Sequence, residues 1–171
     1  MAVRKTNSSI LGFTLIELIT SVAVLAIIAT ISVVALDPFT QFQKAGDARI
    51  KSDLSQIEKS FELYYEDNGK YPDATASYKI NSLGEEIDWG TAWQPYMNIL
   101  PKDPRSNRNY VYYSPSDGQS YYIYANLNRE EDQSLCNLGS ACQTLGQTGF
   151  PGSSQCGAVC NFGVSSQNVS P

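Results

Sequence analysis

The chain has 171 residues, 17 of them acidic and 12 basic, with no histidine and a formal net charge of −5. That balance argues against a general nucleic-acid-binding surface, and the lack of His removes the commonest general base and the commonest metal ligand. Length and an ordinary composition fit one modest folded domain with a membrane segment, and exclude wholesale disorder.

Residues 13–36 form a 24-residue apolar run in which 14 positions are Leu, Ile, Val or Phe. About 20 apolar residues span a bilayer as a helix, and these side chains favour insertion by roughly 6 kcal/mol. One acid, Glu17, interrupts the run near its start. Its cost, about 2.5–3.5 kcal/mol at mid-span and less near an end, does not prevent insertion. An ionisable group inside a span is nevertheless a functional candidate. Arg4 and Lys5 are the only charges ahead of Glu17. The positive-inside rule therefore keeps the N-terminus cytoplasmic and sends everything after residue 36 outside, as a single pass.

Three kinds of N-terminus fit these residues. One is a secretory signal cleaved after Ala35, with Val33 and Ala35 as its small residues. Another is an uncleaved anchor. In the third, a short basic leader ends at Gly12 and the apolar helix follows the cut, beginning Phe13-Thr14-Leu15-Ile16-Glu17. This "GFTLIEL" junction resembles the leader junction of type IV pilins and type II secretion pseudopilins. The resemblance implies that prepilin peptidase cuts after Gly12 and that Phe13 becomes the N-methylated terminus. Removing residues 1–12 takes Arg4 and Lys5 away and moves the net charge to −7. In that family the acidic residue pairs with the terminal amine of a neighbouring subunit, which gives Glu17 a role in assembly. The plain alternative is a solvated Glu17 in the headgroup layer.

Beyond the span, Ile50, Leu54, Ile57, Phe61 and Tyr64 recur at helical spacing, with charged residues between them. This is the pattern of an amphipathic helix. Asn68-Gly69 and Tyr71-Pro72 end it. A helix from residue 13 to about 67 is expected, kinked or hinged at Pro38 and loosened at Gly46. Many pilins carry a helix-breaking proline near the place held here by Val34. This chain has Pro38 instead, so the resemblance does not imply the partial melting of that segment in family filaments.

"DNGKYPD" and "LPKDPRSNRNYVYYSPSDGQSYYIYANL" resemble the head of the G-type major pseudopilin. That likeness implies a variable loop followed by an antiparallel sheet packed on the helix. The residues themselves point the same way. Residues 91–100 read as a short helix with Trp93, Tyr96, Met97 and Leu100 on one face and Pro95 in its first turn. Residues 110–113 and 119–125 read as Tyr-rich strands around a turn at 114–118. Their tyrosines are expected to be half-buried sheet residues with wet hydroxyls; a sugar-binding or electron-hopping surface is the sharper rival.

Past residue 125 the likeness fades. G-type pseudopilins end in an acidic loop that holds calcium, and Glu130, Glu131 and Asp132 are the calcium candidates here, as hard oxygen ligands. The family's spaced Asp-Gly pattern is absent, and three adjacent acids also suit a solvated loop. Cys136, Cys142, Cys156 and Cys160 then occupy a Gly- and Ser-rich tail. An even Cys set outside the cytoplasm favours two disulfides in any of three connectivities. The spacing is looser than that of most zinc knuckles. With few apolar residues after Gly163, the last eight positions are expected to be mobile.

These readings give an α+β, pilin-like chain: a leader at 1–12, a transmembrane and filament-core helix at 13–36, an amphipathic helix and head at 37–135, and a Cys-rich extension at 136–171. The implied function is structural, with no catalysis and no required cofactor, in a type IV pilus-like or secretion pseudopilus filament. Its partners would be copies of itself, other pilins or pseudopilins, prepilin peptidase, an inner-membrane assembly platform with its ATPase, and lipid before assembly. The filament would be periplasmic or on the cell surface. The rival from another class is a membrane-anchored binding module with a metal or ligand site in its tail. An enzyme is third, lacking a nucleophile–His pair.

Overall fold

The computed structural model describes residues 12–171; Arg4 and Lys5, the basic part of the expected leader, lie outside the described residues. The chain divides between Gln41 and Phe42 into two compact units.

The first unit is dominated by helix α1, Leu15–Leu36, which is apolar all round. It ends where Asp37 turns left-handed, at φ 38° and ψ 71°, a conformation that Asp tolerates better than most residues. Helix α2, Pro38–Asn68, starts at once. The Asp37 carboxylate accepts hydrogen bonds from the Thr40 N–H and hydroxyl, and Pro38 sits where its missing N–H costs nothing. The interruption expected at Pro38 is therefore a capped junction between two helices. Gly46 does not loosen the chain, because α2 runs through it unbroken.

In the second unit α2 buries Ile50, Leu54, Ile57, Phe61 and Tyr64, the face expected from spacing. Phe61 is fully buried against Tyr112 and Tyr121, each at 4.8 Å between ring centroids, with Trp93 edge-on at 5.6 Å. Two antiparallel sheets follow. The first joins β1 (Asp73–Ala74), β2 (Ile80–Ser82) and β3 (Glu85–Ile87) in that order. The second joins β4 (Val111–Tyr113), β5 (Tyr122–Ala125) and β6 (Phe162–Ser165).

Residues 91–100 are not a helix. Trp93 and Met97 exchange backbone hydrogen bonds across a tight loop around Pro95, at 3.0 and 2.7 Å. Proline steers the residue before it away from helical dihedrals, so Gln94 cannot open a helical turn. The apolar side chains expected on a helix face still point inward: Trp93 and Leu100 are buried, with Tyr96 and Met97 packed beside them.

The β4–β5 tyrosines are also deeper than expected. Tyr110, Tyr112, Tyr121 and Ile123 face α2, while Val111, Tyr122 and Tyr124 face the other way. Period-two alternation normally leaves one sheet face wet. Here the Cys-rich extension covers the second face with Cys142, Leu145, Cys156 and Cys160. The chain end is likewise engaged. Val164 and Ser165 pair with Ile123 and Tyr122, and buried Ser166 accepts a hydrogen bond from the Tyr121 N–H and donates to Asn168. Backbone pairing, not apolar content, holds this strand.

Candidate functional site

The processing and assembly candidates sit together at the start of α1. Phe13 is 75% exposed, and Gly12, Thr14 and Glu17 are exposed beside it. Among the described residues, nothing lies within 4 Å of where a Gly12 side chain would begin. The first turn is a capping box: the Thr14 hydroxyl accepts from the Glu17 N–H at 3.3 Å, and the Glu17 carboxylate accepts from the Thr14 N–H at 3.5 Å and hydroxyl at 3.4 Å. This pairing satisfies otherwise orphaned donors, and a helix N-terminus favours negative charge. Thr14 was missed by sequence reasoning, although Thr-x-x-Glu before an apolar run is its signature.

Every other described polar side chain in α1 bonds back to the helix itself. Thr20 and Ser21 donate to the Glu17 carbonyl, Thr30 to that of Ala26, and Ser32 to that of Ile28. That is what hydrocarbon demands of a polar group. Leu15–Val33 has a mean hydropathy of 2.3, and none of its residues is buried in the chain. Glu17 is thus the sole acid of a helix with an unclaimed apolar surface, and no basic residue among the described residues makes an ion pair with it.

The four cysteines form two disulfides, Cys136–Cys142 and Cys156–Cys160, which settles the open connectivity and leaves no thiolate for zinc. The rings adjoin, since the Cys142 N–H donates to the Cys160 carbonyl and the Cys136 N–H to that of Asn161. The second ring is stitched to the loop before β4. Asn109 donates from its backbone to the Cys156 carbonyl and from its side chain to that of Gln155, while Arg108 donates to that of Gly157.

The acidic loop does not fit calcium. Asp132 gives both carboxylate oxygens to the Lys51 ammonium, at 2.7 and 2.6 Å, and accepts from the Ser134 N–H and hydroxyl. Lys51 and Ser134 hold its carboxyl well below the usual range. Glu130 and Glu131 are exposed, and the described residues contain no group of three metal-ligating side chains of this kind. A divalent ion would have to displace an ammonium already seated on the most buried of the three acids.

Comparison with known proteins places these features in context. The family model described as type II secretion system (T2SS), protein G matches residues 38–137, and the prokaryotic N-terminal methylation motif matches residues 7–33. The "Type II secretion system core protein G" of Vibrio cholerae is 32% identical over 113 residues, covering 62% of this chain and 72% of that protein. Its namesake in Escherichia coli is 28% identical over 115 residues, covering 64% and 76%. No solved structure gives a significant match.

Proposed function

We propose, from the premise that the chain belongs to the type II secretion system protein G family, how its N-terminal residues serve a structural subunit of a pseudopilus, processed by prepilin peptidase. Cleavage falls between Gly12 and Phe13 and creates a charged amine on Phe13. In the membrane, before assembly, the Glu17 carboxylate rests on its own capping box. During assembly it takes the Phe13 amine of an incoming copy, because an unpaired charge in a dry helix bundle costs several kcal/mol. The span lies with its N-terminus in the cytoplasm and its head outside, and the platform and ATPase lift the processed subunit out of the membrane. The observation that carries this reading is the lone Glu17 at the first turn of an apolar helix that buries no residue over Leu15–Val33, four residues after Phe13.

The test is co-expression of Glu17→Val subunits with the secretion machinery, followed by shearing of filaments and blotting of membranes. Insertion and cleavage should persist, since the span becomes more apolar, while filaments are lost. Normal filaments from processed Glu17→Val subunits would show the acid to be incidental.

A surface-displayed pilus is the second reading. It is favoured by the extension, most of which lies beyond the family match that stops at residue 137. The membrane-anchored binding module is not favoured, because its tail cysteines are consumed in disulfides.

A further inference from the structure

We infer that Lys51 is a built-in cation: the ammonium on α2 closes the 126–134 loop in the place where a bound divalent ion would otherwise neutralise it, so the head folds without calcium. Three side chains divide the work. Asp47, 1% exposed and one turn before Lys51, accepts from the N–H groups of Asn128 and Arg129 at 2.9 and 3.0 Å. Lys51 grips Asp132 and lies 5.8 Å from the centre of the Phe162 ring, so it also touches the strand that ends the fold. Arg105 donates to the Asn126 carbonyl and to the Asn128 side chain, and is itself oriented by the buried Asp103 carboxylate.

The loop thus receives two anchored N–H groups, the short Lys51–Asp132 ion pair and an arginine fork, beside the longer Arg129–Asp132 contact of 3.7 Å within the loop itself. Asp47 and Lys51 stand four residues apart, which puts them on one face of α2. A divalent cation needs six or more oxygens, whereas Asp132 has already committed both of its own. Glu130 and Glu131 project to solvent and contribute nothing to closure. This inference does not depend on how the filament assembles, because it concerns the folding of a single head.

The experiment uses the full chain in detergent micelles and reads thermal unfolding together with tryptic cleavage after Arg129, the basic residue inside the loop. Wild type should melt at the same temperature in calcium and in a chelator, and should resist cleavage after Arg129 in both. Glu130→Gln with Glu131→Gln should leave both readouts unchanged. Lys51→Met should open the loop, raising cleavage after Arg129 at least tenfold, and the exchange of Lys51→Asp with Asp132→Lys should restore much of the protection. A lower melting temperature or faster cleavage of wild type in chelator would overturn the inference. So would stoichiometric calcium binding by wild type, or a Lys51→Met loop as protected as the native one.

Discussion

Gly157→Ala tests how the disulfide-bonded extension is fastened to the head. Gly157 has φ +76°, and a Cβ there would sit 2.2 Å from the Asn107 carbonyl oxygen. The left-handed conformation alone costs a non-glycine residue roughly 1–2 kcal/mol. Relief of the overlap must push the Cys156–Cys160 ring away from residues 107–109, an overpacking cost of about 1–3 kcal/mol. That movement also strains the three hydrogen bonds from Arg108 and Asn109. A total of about 2–5 kcal/mol follows, a large part of the ~5–15 kcal/mol that holds a domain folded. Gly146 is the matched control, with φ +79° and nothing within 4 Å, so Gly146→Ala carries only the conformational term. Denaturant unfolding followed by tryptophan fluorescence should separate the two variants by about 2 kcal/mol. Equal losses would refute the close approach of the ring to Asn107.

Phe61→Ala should cost about 3–5 kcal/mol in the same assay, because its fully buried ring joins α2 to Trp93, Tyr112 and Tyr121. Tyr110→Phe should cost about 1–3 kcal/mol, since its hydroxyl donates to the buried Asp53 carboxylate at 2.9 Å. Burial and that carboxylate also push the Tyr110 hydroxyl far above its usual range, so it stays neutral at alkaline pH and absorbance titration should find it silent until unfolding. The Asp132 carboxyl is depressed below its ordinary 3.8. Its pairing with Lys51 therefore stabilises the fold above that value and is lost only as pH falls through the lower, folded one. The stability difference between wild type and Lys51→Met should therefore persist to pH 4 in thermal unfolding, and its loss near pH 6 would contradict the pairing. Replacing Cys156 and Cys160 together by Ser should lower stability by about 2 kcal/mol on the loop-entropy estimate, read as a shift in the unfolding midpoint.

The α2 face was legible because five apolar residues at helical spacing have only one way to share a core. The junction at residue 37 was legible through Pro38, but its capping by Asp37 was not read, nor was the Thr14–Glu17 box, although both have short sequence signatures. The 91–100 segment misled because Trp93, Tyr96, Met97 and Leu100 mimic a helix stripe, while Pro95 fixes a loop that buries the same side chains. Strand β6 was invisible. Phe162, Gly163, Val164 and Ser165 have little apolar periodicity, and their partner lies some 40 residues back, where only backbone pairing finds it. The tyrosines of β5 were read as half-wet because nothing in a Gly- and Ser-rich tail announces a lid. Its cover depends on which cysteines pair, and spacing left three choices open. Lys51 belongs to the same class, since its partner Asp132 is 81 residues away.

The central claim is that this chain is cut before Phe13 and works through the helix that begins there. Mass spectrometry of the N-terminal peptide from native membranes tests it most directly. The account predicts a chain starting at Phe13 and one methyl group heavier than the bare sequence, with Gly12→Val blocking the cut. A chain starting at Leu36, or one that keeps Met1, would contradict it.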